Sequence, residues 1–204
     1  MKKTVVVTPS ASEEVLKKNY LGEEIIGIDE GILIARKAGA RLSLALTSFK
    51  TVPLESLLSF LPKERIMKYE DNGLDENRKK IASYLLSHRT SDIIVLTSLD
   101  EAFIHKYRLF QLMEEAGGRI SLQNDYDILS YYGEGVHVIS SYGDKGFTLY
   151  GFPEGLVSLE HVSRPLRNAR LSFFNGTVYQ SRILERIAVL KVQKGGVLLE
   201  REVN

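Results

Sequence analysis

Ile25-Ile26-Gly27-Ile28-Asp29-Glu30-Gly31, Ile32-Leu33-Ile34-Ala35-Arg36-Lys37-Ala38-Gly39-Ala40 and Leu42-Ser43-Leu44-Ala45-Leu46-Thr47-Ser48-Phe49-Lys50-Thr51 together decide the fold. The first piece is an apolar run ending in an acid and a glycine, which reads as a buried strand and its exit turn. The second is a short helix closed by Gly39, and the third is another apolar strand ending in a polar loop. This is one strand–helix–strand unit. In open parallel sheets the ligand crevice lies outside the carboxyl ends of the strands. Asp29 and the loop Thr47–Thr51 are therefore the first candidate functional residues.

Working outward, Thr4–Thr8 is a β-branched strand, and Ser10 and Ser12 precede a helix that starts with Glu13-Glu14. Either serine can cap that helix, and a serine-rich turn can also hold a phosphate through free amides, although capping is the commoner reason for such residues. Leu54–Leu61 predicts a short helix stopped by Pro62, and Arg65–Lys68 a short strand. The polar run Tyr69–Asp75 precedes a helix over Glu76–Ser87. Asp92–Thr97 predicts a buried strand with the exit loop Ser98-Leu99-Asp100-Glu101, Phe103–Glu115 a helix, and Arg119–Leu122 one more strand. Strands and helices alternate to about residue 123, which predicts an α/β domain over residues 1–123 with a mainly parallel sheet.

From Asn124 the period changes. Short strand-like pieces (Ile128–Tyr132, Val136–Ser140, Phe147–Tyr150, Leu156–His161, Leu171–Phe173, Ala188–Val192, Val197–Glu200) alternate with glycine-bearing turns such as Gly133-Glu134-Gly135, Gly143-Asp144-Lys145-Gly146, Asn175-Gly176 and Lys194-Gly195-Gly196. Tight turns of this kind need positive φ. The expectation is an all-β second domain over residues 124–204, a small β-sandwich.

Composition bounds the function. The 204 residues carry a formal charge of +1 and no cysteine, with 44% hydrophobic and 26% charged residues. Near-neutrality gives no electrostatic reason to expect nucleic acid or an anionic membrane as partner, and the lack of cysteine removes disulfides, thiolate catalysis and Cys-ligated zinc. His88, His137 and His161 have no ligand spacing. The apolar run after Met1-Lys2-Lys3 is only Val5-Val6-Val7, and no segment has the length of a membrane span, so the expectation is a soluble cytoplasmic protein.

In order and spacing the chain resembles thiamine pyrophosphokinases over nearly its whole length. Asp29-Glu30-Gly31 stands where that family reads Asp-Gly-Gly, and Thr47-Ser48-Phe49-Lys50-Thr51 where it reads Gly-Asp-Phe-Asp-Ser. Asp71-Asn72-Gly73-Leu74-Asp75 falls on Lys-Asp-x-Thr-Asp, Asp100-Glu101-Ala102-Phe103-Ile104-His105 on Gly-Gly-Arg-x-Asp-His, and Tyr179-Gln180-Ser181-Arg182 on the Ser-Asn-Glu region. Asp29, Asp75, His105 and Ser181 match. Both acids of the Gly-Asp-Phe-Asp-Ser loop are replaced, by Ser48 and Lys50, and the substrate-side Asn is Arg182.

The resemblance implies an α/β domain followed by a β-sandwich and pyrophosphoryl transfer from ATP to thiamine with Mg2+. It also implies a homodimer whose sites combine the first domain of one subunit with the second of the other. Asp29, Asp75, Asp71 and Asp100 would be the catalytic acids, with Asp29 and Asp75 on the metal. Gly31, Ser48, Lys50, His105, Ser181 and Arg182 would contact ligands. Magnesium wants hard carboxylates; a serine hydroxyl is a weak ligand, and a lysine repels the metal. Two readings follow. Either a rearranged set that includes Asp29, Asp71, Asp75, Asp100 and Glu101 holds the metal, or Lys50 meets a phosphate directly in a non-catalytic homologue that binds a nucleotide or a thiamine-like ligand, or serves as an interaction protein. Without the resemblance, Asp71 and Asp75 read as a solvated turn and helix start, and His105 as a capping or packed histidine. Tyr131-Tyr132, Tyr142 and Phe173-Phe174 supply aromatic surface, for burial or for a stacking wall.

Overall fold

The computed structural model describes residues 3–88, 92–100, 102–141 and 146–203, with the backbone alone at 74 and 75. The chain forms two compact units, Met1–Leu112 with Leu122–Asp125, and Met113–Ser121 with Tyr126–Asn204.

The first unit runs β1 (Thr4–Val7), α1 (Glu13–Asn19), β2 (Glu24–Ile28), α2 (Gly31–Lys37), β3 (Leu42–Thr47), α3 (Leu54–Leu58), β4 (Ile66–Lys68), α4 (Leu74–His88) and β5 (Ile93–Leu96). Helix α5 (Phe103–Glu115) and strand β6 (Ile120–Gln123) follow across the division between units. Strand β1 lies between β2 and β5 and is parallel to both, with Val5 opposite Ile25 and Ile94. Strands β2, β3 and β4 continue in parallel, so the sheet reads β5-β1-β2-β3-β4. The Thr97 N–H donates to Gln123 O at 2.9 Å, which sets the end of β6 beside β5.

A central parallel strand is covered on both faces, and β1 is buried throughout, as its run of β-branched residues requires. Val5, Leu16, Ile25, Ile32, Ala35 and Leu57 belong to one core around it. Ser12 caps α1, its Oγ accepting from Val15 N–H, with Glu13 and Glu14 in the first turn and Lys17 and Lys18 in the last. Glu13 also pairs with Lys37 of α2 at 2.7 Å, an exposed contact that orients more than it stabilises.

Gly31 lets α2 approach the sheet. A Cβ there would lie 2.0 Å from Val7 O, so no side chain fits between helix and strand.

The second unit is antiparallel: β7 (Asp127–Tyr132), β8 (Gly135–Ser140), β9 (Gly146–Glu160), β10 (Leu166–Ser172), β11 (Val178–Arg182) and β12 (Ile187–Glu202). Strands β9 and β12 pair along their whole lengths. One half of this ribbon is flanked by β10 and β8, the other by β11 and β7, which makes two four-stranded layers sharing the long strands. Leu149 and Leu199 from one half meet Val157, Leu159 and Leu190 from the other in a single core.

Two of the sequence expectations change here. Phe147–Tyr150 and Leu156–His161 lie on one strand, β9, as far as Glu160, and Ala188–Val192 and Val197–Glu200 lie on one strand, β12. Lys194-Gly195-Gly196 is a bulge inside β12, where the register slips, and does not form a hairpin turn. Its glycines serve close approach: a Cβ on Gly195 would meet Glu154 O at 2.1 Å, and one on Gly196 the Tyr131 hydroxyl at 2.1 Å. Tyr142 and the expected turn at residues 143–145 lie outside the described residues.

Replacing Gly31 by Ala is expected to cost about 1–3 kcal/mol, because the added methyl must displace β1 or α2. Urea unfolding should show a lower midpoint with an unchanged slope. An unaltered midpoint would count against this helix–strand contact.

Candidate functional site

The carboxyl ends of β2, β3 and β4 gather the first group. Asp29 follows β2 in a left-handed conformation at φ 45°, and Phe49 follows β3 at φ 62°; two non-glycine residues in this region mark a constrained edge. The Asp29 N–H donates to Leu46 O at 2.9 Å, which extends the β2–β3 pairing into the turn. Its carboxylate is then fixed from two sides. Oδ1 accepts the Ser48 N–H at 3.0 Å and lies 3.5 Å from Ser48 Oγ. Oδ2 accepts the Tyr69 hydroxyl. Tyr69 is itself held where β3 meets the segment after β4, its N–H donating to Thr47 O at 3.1 Å.

Lys50 and Asp71 form the second part of this edge, with Nζ 2.6 Å from Oδ2. Asp71 Oδ1 accepts the Asn77 side-chain amide at 2.7 Å and the Gly73 N–H at 3.2 Å. The Lys50 ammonium, followed by these two donors, holds the Asp71 carboxyl down at about 2. Burial, followed by the Asp29 carboxylate, pushes the Tyr69 hydroxyl well above its ordinary range, so it remains a donor.

The remaining candidates separate. Asp100 follows β5, its N–H donating to Ser98 Oγ at 3.0 Å, and among the described residues no hydrogen bond or ion pair joins it to Asp29 or Asp71. His105 sits in the first turn of α5, with its N–H donating to Ala102 O. Gly31 has the packing role given above. The Asp75 side chain and Glu101 lie outside the described residues. Ser181 and Arg182 are on β11 in the second unit, where Ser181 Oγ is 3.0 Å from Ser163 Oγ.

Two features had no signal in the sequence that would assign them. Tyr69 is 40 residues from Asp29, and only the parallel pairing of β3 with β4 brings it there. Thr8, Ser10, Thr97 and Ser98 converge at the ends of β1 and β5: Ser10 Oγ is 3.2 Å from Thr8 Oγ1 and 3.1 Å from Thr97 Oγ1, and accepts the Ser98 N–H at 3.1 Å. This hydroxyl cluster lies at the topological switch point, since the chain moves from β1 toward β2 on one side and returns to β5 on the other.

The donor set decides what this edge can do. All four carboxylate oxygens of Asp29 and Asp71 already accept protein donors, and one of those donors is a cation. An oxygen that accepts one hydrogen bond keeps a lone pair for a hard divalent ion, so what works against a metal here is the positive charge of Lys50 on Asp71. Among the described residues no three His, Asp or Glu side chains are grouped to hold a metal. Among the described residues, then, the Asp29–Asp71 edge gathers no third acid and carries a lysine against one of its two carboxylates.

No family model matches the sequence, and no curated protein matches it. Solved structures do. A thiamin pyrophosphokinase from Geobacillus thermodenitrificans superposes with a TM-score of 0.80 at 15% identity, covering 100% of this chain and 98% of that one. The thiamine pyrophosphokinase of Bacillus subtilis gives 0.79 at 13% identity over 100% of both chains. The chain has the thiamin pyrophosphokinase fold. A thiamin pyrophosphokinase from Candida albicans, with a TM-score of 0.73, 12% identity and 89% of its chain covered, extends this likeness to a eukaryote. Within the thiamin pyrophosphokinase fold of this chain, no described helix is long and apolar enough to cross a membrane.

Tyr69→Phe leaves Asp29 Oδ2 without its donor and is expected to cost about 1–3 kcal/mol in chemical denaturation. Asp71 supplies a pH signature. Its folded pKa of about 2 lies below an unfolded value of about 3.9, so its contribution to stability is complete above about pH 4 and is lost as pH falls through about 2. Lys50→Gln should therefore flatten that acid limb, more visibly at low salt because the pair is exposed. An identical acid limb in the variant would mean that the pair does not form in solution.

Proposed function

We propose that this protein is a divergent thiamin pyrophosphokinase-fold protein that binds a phosphate-bearing nucleotide at the Asp29–Lys50 edge and has lost pyrophosphoryl transfer. The observation that carries this reading is the Lys50–Asp71 ion pair at 2.6 Å beside an Asp29 carboxylate held by Ser48 and Tyr69. A lysine supplies charge to a phosphate without the bridging geometry of a metal, so it suits binding better than in-line transfer. Asp29, Asp71 and Ser48 position Lys50 and the loop after β3. The resemblance and the fold support ATP and thiamine, or a thiamine-like compound, as the ligand classes and a homodimer as the working assembly.

The rival reading is an active kinase in which Asp75 and Asp100 join a rearranged magnesium site. Incubating the purified protein with thiamine, ATP and magnesium, and following thiamine diphosphate and AMP together, separates the two. Neither product is expected. Equal appearance of both overturns the loss of turnover. Calorimetric titration with ATP should give the same affinity in magnesium and in chelator, reduced about tenfold by Lys50→Gln, the weight of one charge-assisted hydrogen bond. Absence of ATP binding under both conditions would remove the nucleotide from the reading.

A further inference from the structure

Asp71 meets Lys50 from a position that other groups have already fixed. Its Oδ1 accepts the Gly73 N–H at 3.2 Å, a local turn in which a side chain stands in for a backbone carbonyl, and the Asn77 side-chain amide at 2.7 Å. Asn77, in the first turn of α4, is bound to the same stretch twice more: its Oδ1 accepts the Asn72 N–H at 3.0 Å, and its own N–H donates to Gly73 O at 3.0 Å. The carboxylate is thereby anchored to the start of α4 by contacts that do not involve Lys50.

Lys50 arrives from the other side, on the loop after β3. Its Nζ lies 2.6 Å from Oδ2, the oxygen that the turn leaves open. Among the described residues the Lys50 ammonium has no second hydrogen-bond or ion-pair partner. The two side chains are 66% and 31% exposed, so solvent weakens the pair and a soluble anion can reach it. Lys50, followed by Asn77 and Gly73, holds the Asp71 carboxyl down at about 2, so Asp71 stays anionic through the neutral range and does not let go of the lysine by taking a proton. A carboxylate held in this way offers an ammonium the same oxyanion contact that a phosphate offers.

We propose that Asp71 is an internal competitor at this edge, a carboxylate that occupies Lys50 until the phosphate of a bound nucleotide displaces it. The inference rests on the reading of the edge as a phosphate-binding site and adds its regulation. The resting ion pair sets the ligand concentration at which the edge fills, and filling parts the loop after β3 from the turn before α4. A carboxylate that merely oriented the lysine would act in the opposite direction, because its loss would weaken binding. Here its loss removes both a rival for the ammonium and a like charge beside the incoming phosphate.

The test is calorimetric titration of the full chain with ATP in chelator, comparing the unaltered protein with Asp71→Asn, which keeps an oxygen for Gly73 and Asn77 and removes only the charge. Asp71→Asn is expected to bind ATP at least about threefold more tightly, the weight of one exposed ion pair released. The gain should shrink as salt is raised, and it should be lost when Lys50→Gln is added. Asp71→Ser, which retains a turn-forming hydroxyl, is the second variant and should move in the same direction; circular dichroism shows that each variant is folded. Equal or weaker binding by the folded variants, while the unaltered protein binds ATP, overturns the internal competitor and leaves the nucleotide reading standing. No binding by the unaltered protein or by either variant overturns the nucleotide reading, and this inference falls with it.

Discussion

The Asp29 carboxylate is the knot of the first unit's functional edge. One oxygen takes the loop after β3 through Ser48, and the other takes the segment after β4 through Tyr69. Three consecutive parallel strands are thereby tied at their carboxyl ends by one side chain. The backbone agrees: Asp29 turns out of β2 in a left-handed conformation, one that Asp adopts more readily than most non-glycine residues. Loss of either donor leaves a partly buried carboxylate oxygen underfilled, so the edge depends on the set and not on one bond.

That arrangement separates what the scaffold requires at this edge from what it leaves open. Superposition on thiamin pyrophosphokinases extends over the full chain at 15% identity or less, so the backbone is retained where few side chains are. Ser48 contributes its N–H to Asp29, a service that any residue at that position can perform, while Lys50 places a positive charge on Asp71. The sheet needs the first and is indifferent to the second. A fold can therefore keep its strand ends in place while the side chains at those ends differ.

The strands and helices of the first unit were legible because each signal was local. Ile25–Ile28 and Leu42–Leu46 are apolar runs of strand length, and the predicted helix Phe103–Glu115 forms over those same residues. Asp29, Ser48 and Lys50 could be singled out because strand ends gather on one edge, and Asp71 only through the family resemblance. The second anchor of Asp29 could not, since it is Tyr69, a residue placed by the β3–β4 register. The second unit was misread at its glycines for a related reason. Gly195-Gly196 has the composition of a turn, but what demands glycine there is the backbone of Glu154 and the hydroxyl of Tyr131, both far away in sequence.

Net charge was the least informative of the sequence totals. A value of +1 hides a strongly uneven distribution: between Val162 and Lys194 there are seven Lys and Arg residues and a single acid, Glu185. The antiparallel ladder places this basic stretch on β10, β11 and the first half of β12, with its apolar positions turned into the core. Alternation leaves the cations no place but the surface, where solvent and the few acids of the paired strand, Glu154 and Glu160, temper their repulsion.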